Sequence, residues 1–91
     1  MPFEYTEGQI VGFLRYCDGE ISGIMRIKRF FREGDRLLYE GDIAYFWKTN
    51  GKLTPKKFPR GRGLRIGSEH LVPLEKLNGE FDFSSIDRLF D

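Results

Sequence analysis

Acidic side chains are missing from one long stretch of this chain. From Ile43 to Ser68 there is no Asp or Glu, while Lys48, Lys52, Lys56, Lys57, Arg60, Arg62 and Arg65 all fall within it. The whole chain of 91 residues is near neutral, with 15 Lys and Arg against 14 Asp and Glu. Removing those seven cations leaves eight against 14, so the remainder is net negative and charge is polarised along the sequence. A single-sign segment punctuated by glycine sets up a positive potential that attracts phosphates or acidic surfaces, and a core does not need it. Loops that serve only solvation ordinarily mix both signs.

Other scarcities exclude whole classes of chemistry. Cys17 is the only cysteine, so no disulfide forms within one chain. The first residues, Met1 to Glu7, lack the basic start and apolar run of a secretory signal, and no stretch approaches the roughly eighteen apolar residues of a membrane span. Both features lead to the expectation of an intracellular protein, cytoplasmic or nuclear, without a membrane partner. Cys17 lies beside Asp18, which disfavours a thiolate, and is expected to be an incidental, half-buried thiol. His70 is the only histidine, which excludes a His/Cys metal cluster and leaves open a site built from carboxylates alone. The acidic residues flank turns in pairs, Asp18/Glu20, Glu33/Asp35 and Glu40/Asp42, where they serve solvation and turn geometry. Arg60-Gly61-Arg62-Gly63 is not a phosphate-binding P-loop, because no Gly-Lys-Ser/Thr end feeds a helix. The expectation is a non-enzymatic protein with no catalytic residue, metal or cofactor.

What the chain does have is aromatic residues and turn signals. Nine Phe, four Tyr and one Trp supply large apolar areas, enough for one small domain to form a core without staples. Gln9 to Tyr16 and Ile21 to Phe31 are rich in β-branched and aromatic types and predict two strands, joined at Asp18-Gly19 by a tight two-residue hairpin. Side-chain alternation places Ile24, Arg26, Lys28 and Phe30 on one face of the second strand, with Met25, Ile27, Arg29 and Phe31 on the other. Neither face is cleanly apolar, which predicts a strongly twisted or bulged strand. A short strand, Leu37 to Glu40, is expected before Gly41-Asp42, and a central strand from Ile43 to Lys48 with Tyr45 and Trp47 on the face opposite Phe46. Asn50-Gly51 signals a second hairpin. Thr54 to Gly63, with two prolines and two glycines, predicts a basic loop. Leu64 to Ile66 and His70 to Val72 predict short strands, and Leu74 to Leu77 a single helical turn. In the tail, Ser84 with Asp87 is similar to a capping box, and Ile86, Leu89 and Phe90 share one face of an amphipathic helix.

Three segments resemble parts of the small SH3-like barrels, such as Tudor domains and the C-terminal barrels of retroelement integrases. They are Glu40 to Trp47, a Gly-Asp before an aromatic strand; Asn50 to Lys56, a basic Gly-Lys-Leu-x-Pro hairpin; and Glu69 to Leu74, a final strand. The expected fold is therefore mainly β: a five-stranded SH3-like barrel over residues 1–79 and a short C-terminal helix or tail over 80–91. The resemblance implies binding rather than catalysis, and on fold analogy alone.

The leading expectation is a nucleic-acid-binding module, for DNA or RNA. Lys52, Lys56, Lys57, Arg60, Arg62 and Arg65 would contact phosphates, Arg26 and Lys28 would extend that surface, and Tyr45 or Trp47 would stack on bases. The alternative is a protein-interaction adaptor or small inhibitor, whose basic loop meets an acidic partner and whose Ile86, Leu89 and Phe90 dock in a groove. Ser85 to Phe90 is similar to peptides that bind replication sliding clamps. A third reading is a methyl-lysine cage from Tyr39, Tyr45 and Trp47 with Asp42. The expected state is a monomer or a weak homodimer paired through an edge strand.

Overall fold

In the computed structural model, residues 5–15, 17–57, 62–77, 81–84 and 86–90 are described. They form six strands in one antiparallel sheet: β1 (Ile10–Leu14), β2 (Ile21–Glu33), β3 (Arg36–Thr49), β4 (Lys52–Lys57), β5 (Leu64–Gly67) and β6 (Leu71–Pro73). The spatial order is β4-β3-β2-β1-β6, and β5 pairs with the first half of β3 while β4 pairs with its second half. Single 3-10 turns follow at Ser68–His70, Leu74–Lys76 and Ile86–Arg88. No helix among the described residues is long and apolar enough to cross a membrane.

The fold is mainly β, as the sequence predicts, and several particulars differ, among them Thr54 to Lys57, expected as the start of a basic loop, which belong to strand β4 and pair with β3. Six strands form, not five, and among the described residues no ladder joins β4 to β6, so the sheet is not closed into a barrel. Leu37 to Lys48 is one continuous strand within β3, because Gly41 and Asp42 keep their pairing with Ile27 and Arg26 of β2. The tail makes one 3-10 turn at Ile86–Arg88 instead of a C-terminal helix. A helix this short gains little from its own hydrogen bonds, so the pull of its apolar side chains onto the sheet decides its path.

The turns carry part of this geometry. Asn50 and Gly51 both have positive φ, 51° and 80°, which matches the type I′ turn whose twist suits a two-residue hairpin. The first hairpin is wider than the expected two residues: Arg15 and Glu20 close it by a backbone bond of 2.9 Å. The Asp18 carboxylate ties that loop together, accepting from the Arg15 guanidinium at 2.6 Å and from the Glu20 N–H at 3.0 Å. Cys17, expected half-buried, is exposed there.

The bulge anticipated in β2 falls at Lys28. Ile27 pairs with Gly41 and Arg29 with Glu40, so Lys28 is the extra residue and the side-chain alternation reverses across it. Strand partners directly opposite share a face. Met25 and Ile27 therefore share a face with Phe30, whose ring lies 6.1 Å from that of Tyr39, while Arg26 joins Arg29 and Phe31 on the other. The expected grouping of Phe30 with Ile24 and Arg26, and of Arg29 and Phe31 with Met25 and Ile27, is thereby corrected.

Each face of the sheet buries its own core. On the first, Tyr5, Val11, Phe13, Met25, Ile27, Tyr39, Ile43, Ile66 and Leu71 pack together, with Tyr45 and Leu64 against them. On the second, Ile24 and Ala44 are covered by Leu77 and Phe90, with Phe46, Phe81, Phe83, Ile86 and Leu89 around them. The tail is thus the lid of the second core. Phe81 bridges to Leu53 in parallel register, and the Asp82 N–H donates to the Leu53 carbonyl at 2.9 Å, so the tail also covers part of the outer edge of β4. Phe90 is 6% exposed, its carbonyl accepts from Arg26 Nη2 at 2.9 Å, and the Arg26 guanidinium stands 5.4 Å from its ring centroid.

Two stability predictions result. A Cβ on Gly41 would sit 2.0 Å from the Arg26 carbonyl oxygen, a backbone atom that cannot step aside. Gly41→Ala should lower unfolding free energy by at least about 2 kcal/mol in urea denaturation, at the upper part of the overpacking range. Phe90→Ala empties a buried site and removes the Arg26 cation–π contact, and should cost about 3 kcal/mol. A thermal melt should then fall by more than about 10 °C. A melt unchanged by Phe90→Ala would mean that the tail does not cover the second core in solution.

Candidate nucleic-acid interface

The described cations of the acid-free stretch do not form one surface. Arg65 is on β5 and faces Glu40 on β3, because antiparallel pairing returns the chain beside the acidic residues that precede the stretch in sequence. Arg29 on β2 faces the same Glu40 from the other side, with Arg29 Nε 2.5 Å and Arg65 Nε 3.3 Å from its carboxylate oxygens. Arg65 also lies over the Phe31 ring at 4.6 Å. One rung further along, Lys28 Nζ is 3.1 Å from Asp42 Oδ2. Of the expected phosphate contacts, Arg65, Arg26 and Lys28 thus belong to an alternating ladder of charge on the second face of the sheet, continued by Arg26 at the tail.

Asp42 is the buried member of that ladder, 7% exposed. Burial alone would raise its pKa, but the Lys28 ammonium, the Gly63 N–H and the charge of Arg26 together outweigh burial and hold the carboxyl below its ordinary range. The Gly63 N–H donates to Asp42 Oδ1 at 3.2 Å, which pins the end of the basic loop to the centre of β3. Arg62, the neighbour of Gly63, is exposed. Arg60 lies outside the described residues.

The β3–β4 hairpin carries the remaining predicted residues, and strand register sorts them. Tyr45 pairs with Lys56, Trp47 with Thr54 and Thr49 with Lys52, so these six share the first face. Ala44 pairs with Lys57, Phe46 with Pro55 and Lys48 with Leu53 on the second face. That second face is occupied by the tail: the Phe46 ring is 4.9 Å from Phe81 and 6.2 Å from Phe83. The first face is open beyond Tyr45, which packs edge-on to Phe13 at 6.4 Å. Trp47 is 61% exposed, and Lys52 and Lys56 are exposed on either side of its partner Thr54. Lys48, Lys52, Lys56 and Arg62 make no ion pair with the described residues. The Asp82 carboxyl is held low chiefly by the Ser84 side chain and N–H, with a smaller pull from Lys52.

The aromatic cage does not assemble. Tyr39 is wholly buried, its hydroxyl accepts the Tyr5 N–H at 3.3 Å, and Asp42 is taken by Lys28. His70, expected to open a strand, lies instead in the 3-10 turn before β6, 3.8 Å from Glu69. Among the described residues no group of three or more His, Cys, Asp or Glu side chains could hold a metal ion. Ile86, Leu89 and Phe90 are packed in or against the second core. Sequence reasoning missed Thr54, which stands opposite Trp47 between the two lysines, and the role of Glu40 as the shared partner of Arg29 and Arg65. Neither residue type signals such a role, and only the pairing of β5 with β3 exposes the second. No family model, curated protein or solved structure matches the chain.

The Asp42 contacts predict a pH dependence. A carboxyl whose folded pKa is depressed contributes stability that is complete above its unfolded pKa, near 3.8, and is lost as pH falls through the folded value. Asp18, Glu69 and Asp82 are also held low, so the informative quantity is the difference between the wild type and Asp42→Asn. At pH 7 Asp42→Asn should be less stable by about 1–2 kcal/mol. In urea titrations carried into acid, the gap between the two proteins should narrow as pH falls through the folded value. Parallel curves at all pH values would show that the Asp42 charge contributes nothing.

Proposed function

We propose that this protein is a non-catalytic nucleic-acid-binding module whose contact surface is the open face of the β3–β4 hairpin. One observation supports this reading above the others: an exposed indole, Trp47, lies on the same strand face as two exposed lysines, Lys52 and Lys56, that have no ion-pair partner among the described residues. Phosphate attraction and base stacking need those two groups side by side. Exposed Lys48 near the turn and Arg62 at the end of the pinned loop add to the local positive potential. The proposed surface is smaller than the one expected from the sequence, since Arg26, Lys28 and Arg65 act as rungs of the charge ladder. The meander order, with a last strand returning to the first, supports a likeness of form to the small SH3-like barrels in an opened version. The adaptor alternative gains no such support, because docking Ile86, Leu89 and Phe90 on a partner would uncover the second core.

Salt dependence tests this reading. With the contacts confined to Lys48, Lys52, Lys56 and Arg62, log K should fall against log salt with a slope between about −2 and −3 for single strands. Lys52→Ala/Lys56→Ala should roughly halve that slope, while Lys28→Ala should leave it in place. Binding that ignores salt, or that disappears with Lys28→Ala and survives the double variant, would refute the assignment.

A further inference from the structure

The hairpin face shows more than a site for a polyanion. The Trp47 side chain rises beside Thr54, and Lys52 and Lys56 stand two residues to either side of Thr54 on the same strand. At about 3.3 Å per residue the two ammonium stems are rooted about 13 Å apart, with the indole between them. The surface is also held rigid. Its turn is a type I′ turn at Asn50-Gly51, its ladder is continuous from Ala44↔Lys57 to Thr49↔Lys52, and Phe46 on the back is clamped by Phe81 and Phe83. A broad aromatic face fixed between two cations suits a strand whose bases are free to turn outward, with backbone phosphates passing on both sides.

Resting on the nucleic-acid reading above, we propose that the ligand of this face is single-stranded nucleic acid, with one base stacked on Trp47 and the flanking phosphates on Lys52 and Lys56. A duplex does not satisfy the same geometry. Its base faces are already stacked on one another and only base edges reach the grooves, so the indole would have no partner and the lysines alone would act. Stacking accepts any base, because each has a π face, and the ribbon offers few side chains able to read base edges. The site therefore selects strand state and not sequence.

Trp47 is the only tryptophan in the chain, so the intrinsic fluorescence of the intact protein reports on this one residue. The experiment titrates the full chain with labelled single strands of about twelve nucleotides, oligo-dT and oligo-U, and with a duplex of the same length, at low and moderate salt. Fluorescence and anisotropy are read together. The expected result is saturable quenching by both single strands and none by the duplex, with single-strand affinity about tenfold or more above duplex affinity. Trp47→Ala should lower single-strand affinity by about ten- to a hundredfold and leave duplex affinity unchanged, while Trp47→Phe should retain most of it. Trp47 is exposed, so far-ultraviolet circular dichroism of both variants should match the wild type.

Different failures have different meanings. If single strands bind by anisotropy without quenching, and Trp47→Ala binds them as the wild type does, single-strand selection by stacking is wrong. Loss of that binding in Lys52→Ala/Lys56→Ala would then leave the basic-surface function standing. If neither single strand nor duplex binds at low salt, the nucleic-acid function itself falls and this inference with it.

Discussion

The middle of the β2–β3 ribbon is apolar on both sides, and the rest of the molecule is arranged to satisfy that constraint. Ile24 opposite Ala44 and Met25 opposite Ile43 are adjacent rungs whose side chains point to opposite faces, and all four are buried. A half-buried antiparallel sheet would leave one of those faces in water. Here the first face is covered by Tyr5 and by the turning of β1, β5 and β6 around it, and the second by the returning tail. The bulge at Lys28 belongs to the same solution, since it swings Phe30 onto the first face beside Tyr39 and sends Arg29 toward Glu40.

Charge is distributed in accordance with this two-sided burial. Where the second face runs out of apolar cover, beyond Ala44, the rungs become Arg26 with Asp42 and Arg29 with Glu40 and Arg65, and the tail ends on Arg26. Such a ladder interleaves four cations with the two carboxylates of Asp42 and Glu40, which offset part of its positive charge and leave the rest. A second positive region lies at the β3–β4 turn, where Lys48, Lys52 and Lys56 make no ion pair with the described residues although Asp82 lies close enough to Lys52 to feel its charge. Exposed ion pairs of this kind contribute little to stability one by one, so their main effect is to fix register and loop position, as Asp42 does through Gly63.

Local chemistry told most of the topology. Asn50-Gly51, the β-branched and aromatic runs and the helical turn after Pro73 are each dictated within a few residues and appear where the sequence predicts them, while β2 carries a bulge whose position the sequence did not specify. Non-local pairing was not legible. Nothing in Leu64 to Gly67 says that it will lie against Leu38 to Gly41, so the neutralisation of Arg65 by Glu40 was invisible and the basic surface looked larger than it is. The tail shows the same limit. Ile86, Leu89 and Phe90 form an apolar set by helical spacing, and the pattern alone does not distinguish a docking motif from a lid. The face shared by Tyr45 and Trp47, opposite Phe46, was legible, but the exposure of Trp47 depends on the tail choosing the Phe46 face.

That choice links the two ends of the chain. The β3–β4 hairpin projects past the first core, so its two faces compete for the one remaining cover, the aromatic pair Phe81 and Phe83, which stack 5° from parallel at 5.6 Å. Phe46 and the flat Pro55 offer them an apolar floor, whereas Lys52, Thr54 and Lys56 on the opposite face would have to be desolvated beneath them. Burial of the tail on the Phe46 side is therefore the cheaper arrangement, and it leaves the indole and its lysines facing water. The same aromatic residues that complete the second core thus keep the first face of the hairpin available. A tail lifted off would free both faces together and loosen the platform that holds Trp47.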